Sequence, residues 1–249
     1  MVQNHLSRLA APRIWSLKRK TNKWIARPQP GPHPLEGNLT LSFLLRETLE
    51  YAKTTKEVKK ILNEGGVLVD GVVRKEYRYP VGLMDVIEVP KLDEHYRLVF
   101  NTNGRFSLIT IKKEESKLKL LRIVKKTVIK GGKLQYTFHD GKNIIADKFE
   151  GAIGDSVLFD LVKKSVNKVL KLEKGSLIYL SGGSHIGEFG KVKDVIKAKD
   201  LQKPKVLVEA GKEQYITLVN YAFVLGKDKP EINLEVKKWI VWNQLVLRK

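Results

Sequence analysis

The residues able to do catalytic or metal chemistry are few in this chain of 249, and their spacing does not assemble them. The five histidines (His5, His33, His95, His139 and His185) are scattered, and none has a second ligand at a short metal-site interval. Glu114-Glu115 and Asp93-Glu94 are adjacent in the chain rather than facing, so they read as solvated turns and not as a general acid with its base. His139-Asp140-Gly141 reads as a hairpin turn. The chain has no cysteine, which excludes disulfides, thiolate zinc sites and cysteine nucleophiles. Gly190-Lys191 suggests a phosphate-binding loop, but that motif needs glycine where His185 stands and Ser or Thr where Val192 stands. No enzyme activity, cofactor, metal or small-molecule substrate is therefore expected.

The chemistry that remains is charge. Against 27 Asp and Glu stand 47 Lys and Arg, a net +20, which selects polyanionic partners. No apolar run approaches the ~18 residues of a membrane-spanning helix and no signal-peptide core opens the chain, so a soluble, intracellular protein is expected. Residues 1–34 hold seven cations (Arg8, Arg13, Lys18, Arg19, Lys20, Lys23 and Arg27) and no carboxylate. Five prolines (Pro12, Pro28, Pro30, Pro32 and Pro34) predict an extended arm that does not fold alone. Trp15 and Trp24 in this arm either stack on RNA or anchor the arm to its own protein. The arm's arginines are expected to contact RNA phosphates.

The elements that must position further cations lie between Leu41 and Val89. Leu41, Leu44, Leu45 and Leu49 predict a helix over 41–49. Thr54 and Glu57 have capping-box spacing, and Val58, Ile61 and Leu62 form the apolar stripe of a second helix ended by Gly65-Gly66. Val67 to Val69 and Val72-Val73 flank Asp70-Gly71, a two-residue hairpin turn. After an irregular 77–82 segment, Asp85 to Val89 returns as a strand. Arg46, Lys53, Lys56, Lys59, Lys60, Arg74, Lys75 and Arg78 all fall outside the apolar stripes.

Downstream, 96–145 alternates apolar and polar residues between turn signals at Asn103-Gly104, Gly131-Gly132 and Asp140-Gly141. Its lysines, Lys112-Lys113, Lys117, Lys119 and Lys125-Lys126, read either as a basic surface or as a solvated sheet edge. From 174 to 192 the pattern is strand, glycine-rich loop, strand. The tail, 232–247, carries Trp239, Ile240, Trp242, Leu245 and Leu247 and is expected to pack on the body or on a partner protein.

Three resemblances follow. Lys56 to Ile61, Gly66 to Gly71 and Asp85 to Ile87 resemble the S-four (alpha-L) RNA-binding domain. The 174–192 loop resembles the KOW module, whose glycine loop meets RNA or protein. In order along the chain, His5 to Pro12, Pro30 to Pro34, Val69 to Arg74, Tyr79 to Ile87 and the KOW-like loop resemble the S-four-e family of small-subunit ribosomal proteins, in its archaeal form. The resemblance implies an α+β multidomain fold. It would comprise a basic extended arm (1–38), a small S-four-like domain (39–91), a central β-rich domain (92–171) and a C-terminal KOW/SH3-like β-barrel with the tail (172–249). It implies a structural constituent of the small subunit that is cytoplasmic and ribosome-bound, with ribosomal RNA and neighbouring ribosomal proteins as partners and no membrane. The expected RNA contacts are Arg8, Arg13, Arg19, Lys20 and Arg27 in the arm, and Arg46, Lys53, Lys56, Lys60, Arg74, Lys75 and Arg78 in the S-four-like domain. The alternatives are an RNA-modification factor and a KOW-bearing regulator.

Overall fold

The computed structural model describes residues 4–146, 149–196, 203–211, 213–227 and 229–234. Most of the tail, with Trp239, Ile240, Trp242, Leu245 and Leu247, lies outside them. The arm is a folded element. Strands β1 (His5–Ser7) and β2 (Trp24–Ala26) pair antiparallel, with Leu6 opposite Ile25. Trp15 is 2% exposed, its indole N–H donates to the Asn38 carbonyl at 2.7 Å, and its ring lies 5.2 Å from Phe43. Trp15 is thus an anchor. Trp24 stays 51% exposed, with the Lys23 ammonium 5.0 Å from its ring.

After β3 (Asn38–Thr40), the Thr40 hydroxyl caps α1 (Leu41–Phe43) by accepting from the Phe43 amide at 3.1 Å. The single helix predicted over 41–49 instead widens into a π-helical turn over Leu44–Thr48. The amides of Tyr51 and Ala52 both reach the Leu45 carbonyl, and Glu50 sits at φ 57°, so the chain reverses there. Helix α2 (Thr55–Asn63) carries the full capping box and buries Val58 and Leu62. Strands β4 (Leu68–Val69) and β5 (Val72–Val73) turn through Asp70 and Gly71, both at positive φ. The segment read as irregular contains β6 (Pro80–Gly82), which pairs with β3.

Strands β7 (Val86–Val89), β8 (Glu94–Phe100) and β9 (Phe106–Thr110) complete a sheet of order β5-β4-β7-β8-β9. This sheet runs past the division expected at 91/92. Only one 3-10 turn, Pro90–Leu92, lies between β7 and β8, which is too short to divide the sheet into separate cores.

The short α3 (Lys113–Ser116) leads into β10 (Leu118–Val128), which joins β11 (Leu134–Phe138), β12 (Asn143–Ala146), β13 (Ser156–Asp160) and β14 (Ser165–Leu170) in the order β12-β11-β10-β13-β14. Consecutive Leu120 and Leu121 are both fully buried, so β10 has core on both faces. Leu120, Leu158 and Leu170 join the main core, while Leu121, Ile123, Tyr136, Phe138, Val157 and Phe159 form a second one.

A third sheet, order β18-β17-β16-β15-β19, is built from β15 (Leu177–Leu180), β16 (Phe189–Ile196), β17 (Lys205–Ala210), β18 (Glu213–Leu218) and β19 (Ala222–Gly226). It is locked to the first two. The Tyr179 hydroxyl donates to the Phe100 carbonyl (2.9 Å) and accepts from its amide (2.8 Å), and the Val224 amide donates to the Ser156 hydroxyl (2.9 Å). Gly187, at φ 85°, lies so close to Asn101 that a Cβ would sit 2.3 Å from the Asn101 carbonyl oxygen.

A candidate nucleic-acid interface

The capping box fixes where the α2 cations point. The Thr54 hydroxyl accepts from the Glu57 amide (3.3 Å), and the Glu57 carboxylate accepts from the amides of Lys53 (2.8 Å) and Thr54 (3.3 Å). Those hydrogen bonds, the Lys53 amide first, hold the Glu57 carboxyl below its ordinary range, so it remains an acceptor. With Val58 and Leu62 turned inward, Lys53, Lys56, Lys59 and Lys60 are left exposed.

Beside the helix, tyrosines hold more positive charge. The Lys59 ammonium lies 4.7 Å from the Tyr77 ring, with the Arg78 guanidinium 6.0 Å from the same ring, and Arg74 lies 4.4 Å over Tyr79. Lys75 is exposed between them. Arg46 donates to the Lys53 carbonyl (3.3 Å) and the Thr55 hydroxyl (3.4 Å), and so ties the π turn to the start of α2. Its first task is therefore positional.

The arm's cations divide in a way that the sequence does not show. Arg8 is 3% exposed and reaches Glu47 at 2.5 Å and the Lys18 carbonyl at 3.1 Å. Arg19 donates to the carbonyls of Arg8, Leu9 and Ala11. Both guanidiniums thus help to hold the arm's fold, and Arg8 also ties it to Glu47 of the π turn. Proline removes amide donors and leaves neighbouring carbonyls to be satisfied by side chains. Arg13 and Lys20 are exposed. Half-buried Arg27 and Arg78 line an open cleft of about 630 Å³ with the 28–35 proline run, and Arg78 also donates to Asn4 at 2.6 Å. The arm thus meets the segment after the hairpin at this cleft, through Arg27 and Arg78.

Inside the fold lies an ionic junction that sequence reasoning missed. Lys119, expected at a basic or solvated edge, is 0% exposed, with its ammonium 2.6 Å from Asp70, 2.5 Å from Asp85 and 3.1 Å from Asp140. Lys142 joins Asp70 (3.0 Å) and Asp140 (3.2 Å), and the His33 ring reaches Asp85 at 3.0 Å. Burial works to lower the Lys119 pKa, but the three carboxylates override it and leave it well above the ordinary lysine value. Burial likewise opposes ionisation of Asp85 and Asp140, and Lys119 overrides it, so both are depressed. His139 accepts from the Arg122 amide (3.2 Å), and its other nitrogen donates to the Leu83 carbonyl (3.1 Å). Burial, then Lys119, takes its pKa down to about 3, so it is neutral. The available signal was a lysine enclosed by Leu118, Leu120 and Leu121 in one strand, where a two-faced core leaves no route to water.

A capped helix and hairpin that carry an outward cationic face are the arrangement of a protein suited to a polyanion such as nucleic acid. The comparisons agree. Residues 44–87 match the S4 domain, 2–36 the RS4NT domain and 92–166 the ribosomal family S4e. The small ribosomal subunit protein eS4 of Methanococcus vannielii is 44% identical over 240 residues, spanning 93% of this chain and 98% of its own. The eS4 protein of Archaeoglobus fulgidus is 41% identical, spanning 95% and 100%. The crystal structure of 30S ribosomal protein S4e from Thermoplasma acidophilum superposes with a TM-score of 0.67 at 30% identity, covering 77% of this chain and 96% of that one. The chain belongs to the ribosomal S4e family.

Proposed function

We propose that this protein is a structural constituent of the small ribosomal subunit, cytoplasmic and ribosome-bound, that binds and braces ribosomal RNA beside neighbouring ribosomal proteins. The observation that carries the reading is the fixed outward face of α2 with the tyrosine-held cations beside it. Lys53, Lys56, Lys59, Lys60, Arg74, Lys75 and Arg78 contact phosphates there; Arg13, Lys20 and Arg27 extend the contact along the arm. Arg46 acts mainly by placing Lys53. The third sheet is a KOW/SH3-like module: its glycine loop joins β15 to β16 and a 3-10 turn, Val219–Tyr221, joins β18 to β19. The role is architectural and not catalytic, which is supported by Lys119 occupying the centre of the Asp70, Asp85 and Asp140 cluster.

Each phosphate contact contributes a salt slope of about 0.7 to 0.9. Replacing Lys56, Lys59, Lys60 and Lys75 with Gln is expected to lower the slope of log affinity against log salt for small-subunit ribosomal RNA by about 3, with thermal stability unchanged. An unaltered slope would show these lysines to be solvated surface only.

A further inference from the structure

The third sheet carries a second recognition feature, distant in character from the basic face. Between 172 and 234 the sequence has 10 Lys and Arg against 8 Asp and Glu, so this module is close to neutral while the whole chain is +20. Phosphate attraction is not what it is built for. At one side of it, an open cleft of about 440 Å³ is lined by Gly183, His185, Lys205, Tyr215, Thr217 and Tyr221.

Two of these side chains form a ready aromatic platform. The rings of His185 and Tyr215 stack with centroids 3.8 Å apart and planes within 4°. Glu188 holds both, accepting from the Tyr215 hydroxyl at 3.4 Å and lying 3.1 Å from His185 Nδ1. Burial and the Glu188 carboxylate raise the Tyr215 phenol to about 12, so it stays a neutral donor. Tyr221, 37% exposed, is seated over the glycine loop, where a Cβ on Gly182 would lie 2.5 Å from its ring. That loop needs Gly183 at φ 86° to pass beneath.

We propose that this cleft binds a single unpaired RNA base, stacked as a third layer on the His185 and Tyr215 pair. The inference rests on the ribosomal RNA reading above and gives it a second, non-electrostatic point of attachment. A coplanar pair already fixed by one carboxylate loses little side-chain freedom when a flat ligand is added, and every base has a π face. Lys205 supplies one cation for the adjoining phosphate, and the hydroxyls of Ser184 and Thr217 offer hydrogen bonds to the base edge. Of the two carboxylates that act on Tyr215, Glu188 is engaged by His185 and Tyr215, and Glu213 on β18 stands outside the cleft lining, where Lys205 is the charged group.

The test uses the full chain and a single-stranded RNA pentamer, followed by aromatic NMR signals and by affinity. Stacking is expected to shift the Tyr215 and His185 ring signals upfield. Tyr215→Leu should weaken binding by about tenfold or more, consistent with the usual contribution of one stacked base, while Tyr215→Phe, which keeps the ring and gives up only the long hydrogen bond to Glu188, should bind within about threefold of the parent. If the pentamer binds and perturbs only α2 and residues 74–79, the cleft assignment falls and the ribosomal RNA reading stands. If neither region responds to the pentamer or to small-subunit RNA, both fall. Ring shifts produced by a proline-rich peptide and not by RNA would assign the cleft to a protein partner and overturn the proposal.

Discussion

Replacing Lys119 with Met tests the ionic junction directly. Methionine keeps most of the volume and removes the charge, which leaves Asp70, Asp85 and Asp140 gathered around an apolar group. Breaking a buried ion cluster by removing one partner costs about 3 to 5 kcal/mol, because the remaining charges lose compensation in a poorly solvated place. Lys142 offsets some of this for Asp70 and Asp140 but does not pair with Asp85, so the lower half of that range is expected. For a chain of this size, 3 kcal/mol corresponds to a fall of roughly 6 to 12 °C in melting temperature. The pH dependence is the sharper readout. Depressed carboxylates stabilise the parent above their unfolded pKa of about 4, and that stability is lost as pH falls through their folded values. In Lys119→Met the same carboxyls are no longer depressed, so protonating them relieves repulsion. The difference between parent and variant should be largest at neutral pH and shrink as the pH falls below about 4 in denaturant titrations. A variant within 1 kcal/mol of the parent at pH 7, or a difference independent of pH, would refute the reasoning.

Other consequences can be checked in the same preparations. Trp15→Ala should cost about 3 to 5 kcal/mol through the cavity and the lost hydrogen bond to Asn38, and should expose the arm to limited proteolysis. Arg8→Gln should lower stability by about 1.5 to 3 kcal/mol while leaving the salt slope of RNA binding unchanged, the opposite of the four-lysine variant. Gly187→Ala should unseat the third sheet from Asn101, read as loss of cooperativity between the two in hydrogen exchange. His139, held neutral by burial and then by Lys119, should show no imidazole titration by NMR between pH 5 and 8.

Local chemistry was what this sequence made legible. The capping box of Thr54 and Glu57, the Asp70-Gly71 turn and the strands over 106–110, 118–128 and 134–138 each rest on residues close in sequence, and each is present in the structure, with the unanticipated short helix at 113–116 between the first two strands. The π turn was not legible, because Leu44 and Leu45 suit either helix and the choice depends on where Tyr51 and Ala52 find an acceptor. The folding of the arm was also hidden. Its prolines argued for extension, and only distant partners, Glu47 for Arg8 and Asn38 for Trp15, make a compact path favourable. For the candidate interface, helical spacing assigned the α2 lysines to an outer face, but an arginine's sequence position carries no information about a carbonyl ten residues away. Asp70, Asp85 and Asp140 looked like turn and strand-start residues, and Asp70 and Asp140 do stand in turns; their second role required the whole chain.

The junction at Lys119 also imposes an order in time. A chain made from its N-terminus releases His33, Asp70 and Asp85 well before the cation that satisfies them, and Asp140 and Lys142 later still. Until residue 119 has emerged, the helix pair and hairpin hold two acids on the face that will become interior without the ammonium that joins them. The nascent protein therefore reaches its stable form late. Its basic arm and α2 face are displayed to polyanions while the core behind them is still incomplete.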